Sequence, residues 1–437
     1  MTRKNIITLD LTAPANLGQA MGRHKGKVIF IRGGLPGERV RARIVEEGRR
    51  WARGELIDVL HASPDRVEPP CPYFGPGQCG GCQWQHIAYP RQLVLKQEIV
   101  SDQLQRLGHV SDPPVQPARG VGERWGYRNH VQFAVDGQGH MGFRRAASHQ
   151  VIPVDRCLLL HPLLDELHSA LDLEWPDLAR LSLRAGTATG EQMLVFEAKE
   201  REAPELEVDL PLSAVLLRPG EAPLILAGNA YIEEQVAALR YRISAESFFQ
   251  VNTAGAEALV DTVLSFLEPG AEDRALDAYC GVGLFALALA GRVAEVIGIE
   301  SAPSAALDFA WNVEALGQQE VTLIEGPVEE VLAWWVEAGQ GPSPQPDDEG
   351  EAMLPSFGQQ IDLAVVDPPR RGMGPQAIAA LAHLKPRCVA YVSCDPAILA
   401  RDAQAFLQAG YRLASVQPLD MFPQTYHVES VGLYVRD

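Results

Sequence analysis

No apolar run in this 437-residue chain approaches the roughly 20 residues that a membrane-spanning helix needs; the densest, Leu284 to Ala290, is far shorter. The polar opening Met1-Thr-Arg-Lys-Asn also lacks the apolar core of a secretory leader, so the chain reads as cytoplasmic with no membrane partner. Cysteine is sparse and odd in number, seven in all, which argues against a disulfide framework and leaves reduced thiols, metal ligands or a nucleophile. Positive charge is scarce too: 38 Lys and Arg face 56 Asp and Glu, a net of −18 that by itself speaks against a phosphate-rich partner. With 46% hydrophobic and 22% charged residues, the composition is that of an ordinary globular protein, long enough for two or three domains.

The distribution of charge reverses the first impression. Residues 1–157 carry 22 basic against 14 acidic side chains, and residues 1–66 carry 13 against 7, so the acidity belongs to the C-terminal part. The basic N-terminal region is suited to RNA, with a merely solvated basic surface as the alternative. Its first 65 residues alternate β-type runs (Ile6–Asp10, Lys27–Arg32, Arg39–Val45, Gly54–Leu60) with glycine-rich turns, the pattern of a small OB-like β-barrel. Pro64–Pro72 reads as a linker into a cysteine-bearing central segment of mixed strands and loops.

From Leu239 onward, strand-like runs at 275–280, 295–300, 321–325, 363–367 and 388–394 alternate with helical stretches, which predicts an α/β domain with a parallel sheet. Residues 339–360, rich in Pro, Gly and acid, read as a mobile insertion without chemistry. The expected division is 1–65 for the barrel, 66–245 for a central α+β domain, whose helical part near 88–110 can pack on the catalytic domain, and 246–437 for that domain.

Asp277-Ala-Tyr-Cys-Gly-Val-Gly closes the first of these strands and opens a helix, so Gly281 and Gly283 let the backbone approach a ligand at the strand's carboxyl end. The next strand ends in Glu300, where a carboxylate would accept both hydroxyls of a ribose. Ala286 in place of a third glycine disfavours a dinucleotide, and S-adenosylmethionine, with a ribose and no phosphate, fits better. Asp367-Pro-Pro-Arg370 puts an acid at a rigid strand end, with Arg370 where amine-methylating enzymes carry an aromatic. Cys394, in Ser393-Cys-Asp-Pro396, lies between a strand and a helix N-terminus, where positive dipole potential should favour the thiolate. A thiolate that adds at C6 of uracil makes C5 nucleophilic, so a cysteine near a sulfonium methyl implies C5 methylation. Glu429, in His427-Val-Glu-Ser430, is a candidate base for the surplus C5 proton.

Taken in order, Phe248-Phe-Gln-Val-Asn252, Asp277-Ala-Tyr-Cys-Gly-Val-Gly283, Asp367-Pro-Pro-Arg370, Ser393-Cys-Asp-Pro396 and His427-Val-Glu-Ser430 resemble the RNA uracil-C5 methyltransferases over about 190 residues. The resemblance implies a class I Rossmann-like methyltransferase domain, in which Gln250, Tyr279, Glu300 and Asp367 contact S-adenosylmethionine, Cys394 is the nucleophile and Glu429 the general base. Leu284 departs from it, since relatives often carry Asn there.

Four cysteines remain outside this set, Cys71, Cys79, Cys82 and Cys157, and the Cys79-Gly-Gly-Cys82 spacing suits either zinc or an iron–sulfur cluster. Ribosomal-RNA members of the family carry an N-terminal TRAM barrel and a four-cysteine [4Fe–4S] site, so the resemblance extends over nearly the whole chain. It implies 23S ribosomal RNA as substrate, and a monomer is the expected state. Transfer RNA is the second reading, and a non-enzymatic iron–sulfur RNA-binding protein is the third. Arg124, Tyr127-Arg128-Asn129 and Arg144-Arg145 are similar to family segments near the RNA.

Overall fold

The computed structural model describes residues 5–146, 148–171, 173, 175, 178–198, 210–338 and 360–436. Strands β1 (Ile6–Ala15), β2 (Gln19–His24), β3 (Lys27–Arg32), β4 (Arg39–Glu47) and β5 (Trp51–His61) close into a barrel in the order β1-β2-β3-β5-β4. Alternation delivers Leu9, Leu11, Ala20, Ile29, Ile31, Val40, Ala42 and Ala52 to its interior. Strand β2 has no counterpart among the four runs read from the sequence. Its Gln-Ala-Met-Gly-Arg-His contains no β-branched residue, and pairing with β1 and β3 on either side holds it extended.

After the barrel, irregular chain carries Cys71, Cys79 and Cys82 into helix α1 (Tyr89–Arg106) and the two-residue strand β6 (Arg119–Gly120). The central sheet comprises β7 (His130–Val135), β8 (Met141–Arg144), β9 (Val151–Pro153), β10 (Leu178–Ala185), β11 (Gln192–Ala198), β12 (Ser213–Leu217) and β13 (Leu224–Ala227), in the order β13-β12-β11-β10-β7-β8-β9. Helix α2 (Pro162–Ala170) covers it through Leu164 and Leu167. The hairpin of β14 (Tyr231–Val236) and β15 (Leu239–Ser244) leads to α3 (Thr253–Leu267), started by the Asn252 side chain, which accepts the Gly255 amide at 3.1 Å. A cap of this kind contributes about 1 kcal/mol.

The last unit runs β16 (Arg274–Ala278), α4 (Leu284–Leu289), β17 (Glu295–Glu300), α5 (Pro303–Leu316), β18 (Val321–Glu325), α6 (Val328–Ala338), β19 (Leu363–Val366), α7 (Pro375–His383), β20 (Cys388–Ser393), α8 (Pro396–Gln408), β21 (Arg412–Asp420) and β22 (Glu429–Val435). Its sheet has the order β18-β17-β16-β19-β20-β22-β21-β6, parallel except for β22, which runs antiparallel to both β20 and β21. Every residue of β16 and of β19 is buried, as expected for central strands covered on both faces. Helices α3, α4 and α5 contribute to the core on one face. The other face is covered by α6, α7 and α8 together with Val100 and Leu104 of α1, which packs against α8. The chain reverses direction of growth between β16 and β19, so a crevice opens at the carboxyl ends of those two strands. The insertion expected at 339–360 lies, except for Gln360, outside the described residues.

Candidate active site

Strand ends bring the sequence-predicted residues to one rim. β16 and β19 pair Ala278 with Val366, so Tyr279 and Asp367 leave the sheet side by side. Tyr279 has φ 64, Gly281 φ 56 and Gly283 φ 101, a run of left-handed residues that turns the chain sharply into α4. A Cβ at Gly283 would press on Leu287 and Phe309 at 3.1 Å, so the helix packs close behind the turn. Asp277 is fully buried and holds the turn from beneath by accepting the Ala286 amide at 2.7 Å.

Glu300 ends β17 and binds the same turn. Its Oε2 accepts the Gly281 amide at 2.9 Å, and its Oε1 accepts the amides of Ser301 and Ala302, both at 2.7 Å. The Tyr279 hydroxyl donates to Glu329 Oε1 at 3.1 Å, and Arg371 approaches the same carboxylate at 3.4 Å. Glu329 carries no motif in the sequence, and only the fold places it against Tyr279. Gln250, buried just ahead of α3, donates from Nε2 to Asp367 Oδ2 at 3.4 Å. Leu284, where the resemblance departs, is buried in the core.

The antiparallel register of β20 and β22 pairs Val392 with Val431 and Ser393 with Ser430. One step further along the same register, Cys394 stands opposite Glu429, which is also the last residue of β22 paired with β21, through Leu419. Parallel pairing of Val366 with Tyr391 brings Asp367 to the same end of the sheet. Charge and burial act on all three groups. Burial and the Asp367 charge lift the Glu429 carboxyl well above its ordinary range, while Arg370 acts against them. Burial lifts Asp367 to about 7. Burial, and then the Glu429 charge, lifts the Cys394 thiol to about 11, again against Arg370.

That last result corrects the expectation of a helix-stabilised thiolate. The N-terminus of α8 is already occupied by Asp395, which caps it by accepting the Ala397 amide at 2.8 Å. The dipole's anion seat is therefore taken, and the acids around Cys394 favour the protonated thiol.

Cys71, Cys79, Cys82 and Cys157 all line one cavity of about 480 Å³ that extends past Arg128, His130 and the exposed Phe248 to Arg370. One cavity thus joins the cysteine cluster to the rim that carries Cys394. The Gly81 amide donates to Cys79 Sγ at 3.4 Å, and the Gln85 side-chain oxygen accepts the Cys71 amide at 3.3 Å. A Cβ at Gly80 would strike Arg144 O and Ala146 N at 2.9 Å, so the turn between Cys79 and Cys82 has room only for glycine there. Burial raises the thiols of Cys79 and Cys157 and pushes Cys82 up to about 12, with Arg128 drawing Cys82 and Cys157 back down. Among the described residues no three His, Cys, Asp or Glu side chains converge closely enough to hold a single metal ion. Arg124 lies over the Tyr89 ring at 4.4 Å, and the Asn129 side chain donates to Gln250 O at 3.1 Å.

Comparison with known proteins agrees with this geometry. The family model described as tRNA (uracil-5-)-methyltransferase matches residues 224–437, and that of the TRAM domain matches residues 3–57. An uncharacterized RNA methyltransferase of Streptomyces avermitilis is 38% identical over 94% of this chain and 93% of its own. Another, from Halalkalibacterium halodurans, is 32% identical over 99% and 97%. Among solved structures, the Pyrococcus abyssi tRNA (uracil-54, C5)-methyltransferase in complex with S-adenosyl-L-homocysteine aligns over 98% of this chain and 100% of its own, with 25% identity and a TM-score of 0.71.

Proposed function

Since the chain belongs to the RNA uracil-C5 methyltransferases, and is thus an S-adenosylmethionine-dependent enzyme, we propose that it methylates C5 of a uridine in 23S ribosomal RNA through a covalent cysteine–C6 adduct. The observation that carries the covalent route is the register that faces Cys394 with Glu429 across β20 and β22, beside Asp367.

Gln250, Tyr279, Glu300 and Asp367 line the crevice in which S-adenosylmethionine would bind, and the donor supplies an electrophilic sulfonium methyl. Glu300 is suited to the ribose hydroxyls, and Asp367 with Gln250 to the reacting end. Cys394, its proton lost, adds as thiolate to C6 of uracil, the C5=C6 electrons move toward C5, and C5 takes the methyl as the sulfonium carbon–sulfur bond breaks and S-adenosylhomocysteine leaves. Glu429 then accepts the C5 proton, the C5=C6 bond re-forms and the Cys394–C6 bond breaks. Arg370 offers positive charge toward the electron-rich ring, and Phe248 an exposed face for a base to stack on.

Cys71, Cys79, Cys82 and Cys157 are suited to a [4Fe–4S] cluster. The four residues line one cavity, and the Gly81 amide donates to the Cys79 sulfur, which supports a four-thiolate site. Methylation needs no redox step, so the role we assign to the cluster is structural. The barrel together with this cysteine site supports ribosomal RNA, whereas the full-length likeness to an enzyme named for tRNA favours transfer RNA as the second reading. We further assign the barrel to residues 1–65, the central domain to 66–245 and the catalytic domain to 246–437, in a monomeric cytoplasmic enzyme.

Mapping 5-methyluridine in RNA from cells with and without the gene tests the substrate, and loss of a transfer-RNA mark alone would reject ribosomal RNA. For the route, Cys394→Ala should abolish methylation without an adduct. Glu429→Gln should accumulate a methylated protein–RNA adduct that survives denaturing electrophoresis, and normal turnover in that variant would remove Glu429 as base.

A further inference from the structure

Glu429 and Leu419 form the last rung between β21 and β22, so residues 420–428 make a long hairpin loop immediately before the proposed base. A loop of this length has little regular structure of its own to fix it. Here it is gripped carbonyl by carbonyl, mostly by residues far away in sequence. Lys96 Nζ donates to Asp420 Oδ1 at 2.5 Å and to Phe422 O at 3.1 Å. Asn252 Nδ2 donates to Met421 O at 2.9 Å, and the Tyr127 hydroxyl to Pro423 O at 3.1 Å. The amides of Gln83 and Trp84 both donate to Gln424 O, at 3.1 and 2.9 Å. Gln92 and Gln424 exchange two bonds, Gln92 Nε2 to Gln424 Oε1 and the Gln424 amide to Gln92 Oε1, each at 3.0 Å.

Tyr426 completes the grip by packing into the apolar cluster of Leu35, Trp84, Ile87, Leu95 and Ile99, which draws on the barrel, the cysteine-bearing segment and α1. Gln424 is held at φ 69, a left-handed conformation that glutamine adopts here within this web of partners.

We infer that Tyr127 and Gln92 are positioning residues for Glu429, holding the 420–428 loop so that removal of the C5 proton, rather than methyl transfer, depends on the central domain. The inference rests on Glu429 being the base. Gln83 and Trp84 directly follow Cys82, and Tyr127 directly precedes Arg128, which lines the same cavity as Cys82 and Cys157. The hydrogen-bonded clamp therefore starts at residues adjoining the four-cysteine site and ends on the loop that leads into Glu429. The cofactor crevice at Gly281 and Glu300 lies at β16 and β17, outside it.

The test uses the full-length enzyme with unmodified transcripts of 23S ribosomal RNA and transfer RNA, taking whichever it methylates. Tyr127→Phe removes one hydroxyl from the clamp, and Gln92→Met removes both bonds to Gln424. The expected result is a fall in kcat of about three- to tenfold in Tyr127→Phe, the factor one neutral hydrogen bond is worth. Methylated adduct should build up on denaturing gels, while KM for RNA, S-adenosylmethionine affinity and iron content stay within about twofold of the parent. A general loosening of the fold would lower donor affinity and melting temperature together and leave no adduct, and that pattern overturns the inference, as does normal turnover in both variants. Should Gln92→Met fail to fold, Tyr127→Phe decides alone. Glu429→Gln run beside them separates the two claims. Without adduct in Glu429→Gln the base assignment falls and the inference with it; with adduct there and none in Tyr127→Phe, the inference alone falls.

Discussion

Asp367 should make binding of the methyl donor depend on pH in a way that can be worked out beforehand. Burial disfavours its charge and lifts the carboxyl to about 7. A cation brought within about 4–6 Å lowers a carboxyl pKa by roughly 1–3. Taking a drop of about 2 when S-adenosylmethionine seats its sulfonium nearby, the complex favours the carboxylate, so binding must expel a proton wherever the free enzyme holds one. The sign follows: affinity is low at acid pH, rises through about 7 and levels off above it. Linkage arithmetic with these values gives affinity about twentyfold tighter at pH 8 than at pH 5.5, and about half a proton released per donor bound at pH 7. Calorimetry in buffers of different ionisation enthalpy reads both quantities. S-adenosylhomocysteine, which lacks the sulfonium charge, should show a much flatter profile, and Asp367→Asn should flatten the donor's own profile to match. A donor affinity constant from pH 5.5 to 8, or a slope that persists in Asp367→Asn, would refute the assignment of this carboxyl to the reacting end of the pocket.

Two further outcomes are expected. Lys96→Met leaves the fully buried Asp420 carboxylate without its ammonium and should cost about 3–5 kcal/mol, read from urea unfolding, with Asp420→Asn in the same chain recovering much of the loss; a cost under about 1 kcal/mol would show that the pair is not desolvated. At one end of the barrel the β2–β3 and β4–β5 turns meet, through the Val28 amide bound to Arg50 O and Lys27 Nζ bound to Gly48 O, and expose Arg23, Lys25, Arg49 and Arg50. Replacing these four with glutamine should reduce the salt slope of RNA binding by up to about 3, at about 0.7 per phosphate contact on single strands, and an unchanged slope would exclude this end from the interface.

The strand ends were legible in the sequence because local chemistry marks them. Glycines 281 and 283 have to follow β16 so that the chain can turn left-handed, and Pro368 and Pro369 have to follow β19 because they cannot extend a ladder. Such signals are enough to collect Tyr279, Glu300 and Asp367 at one rim. The facing of Cys394 and Glu429 was not legible in that way. It depends on β22 running antiparallel into an otherwise parallel sheet, and a one-residue slip in that register would turn Glu429 to the opposite face. Least legible were the buried polar partners Lys96 with Asp420 and Gln92 with Gln424, separated by 324 and 332 residues. A lysine on an amphipathic helix reads as a solvated charge, and only the docking of α1 beside β21 reveals its partner.

The thiol of Cys394 shows why position alone misleads. A strand end before a helix N-terminus is electropositive only if the amides there remain open to the sulfur, and Asp395 has already taken that place. What then decides ionisation is the balance of charge in the enclosed site, where Asp367 and Glu429 oppose the thiolate and Arg370 supports it. Negative charge on Asp367 makes Glu429 harder to ionise, and charge on either acid does the same to Cys394. A cationic donor would shift that balance above pH 7, where Asp367 is already ionised and the sulfonium offsets the carboxylate that opposes the thiolate. The half proton expected on binding at pH 7 is that of Asp367, so a release clearly above it, lost in Cys394→Ala, would show that the thiol ionises together with donor binding.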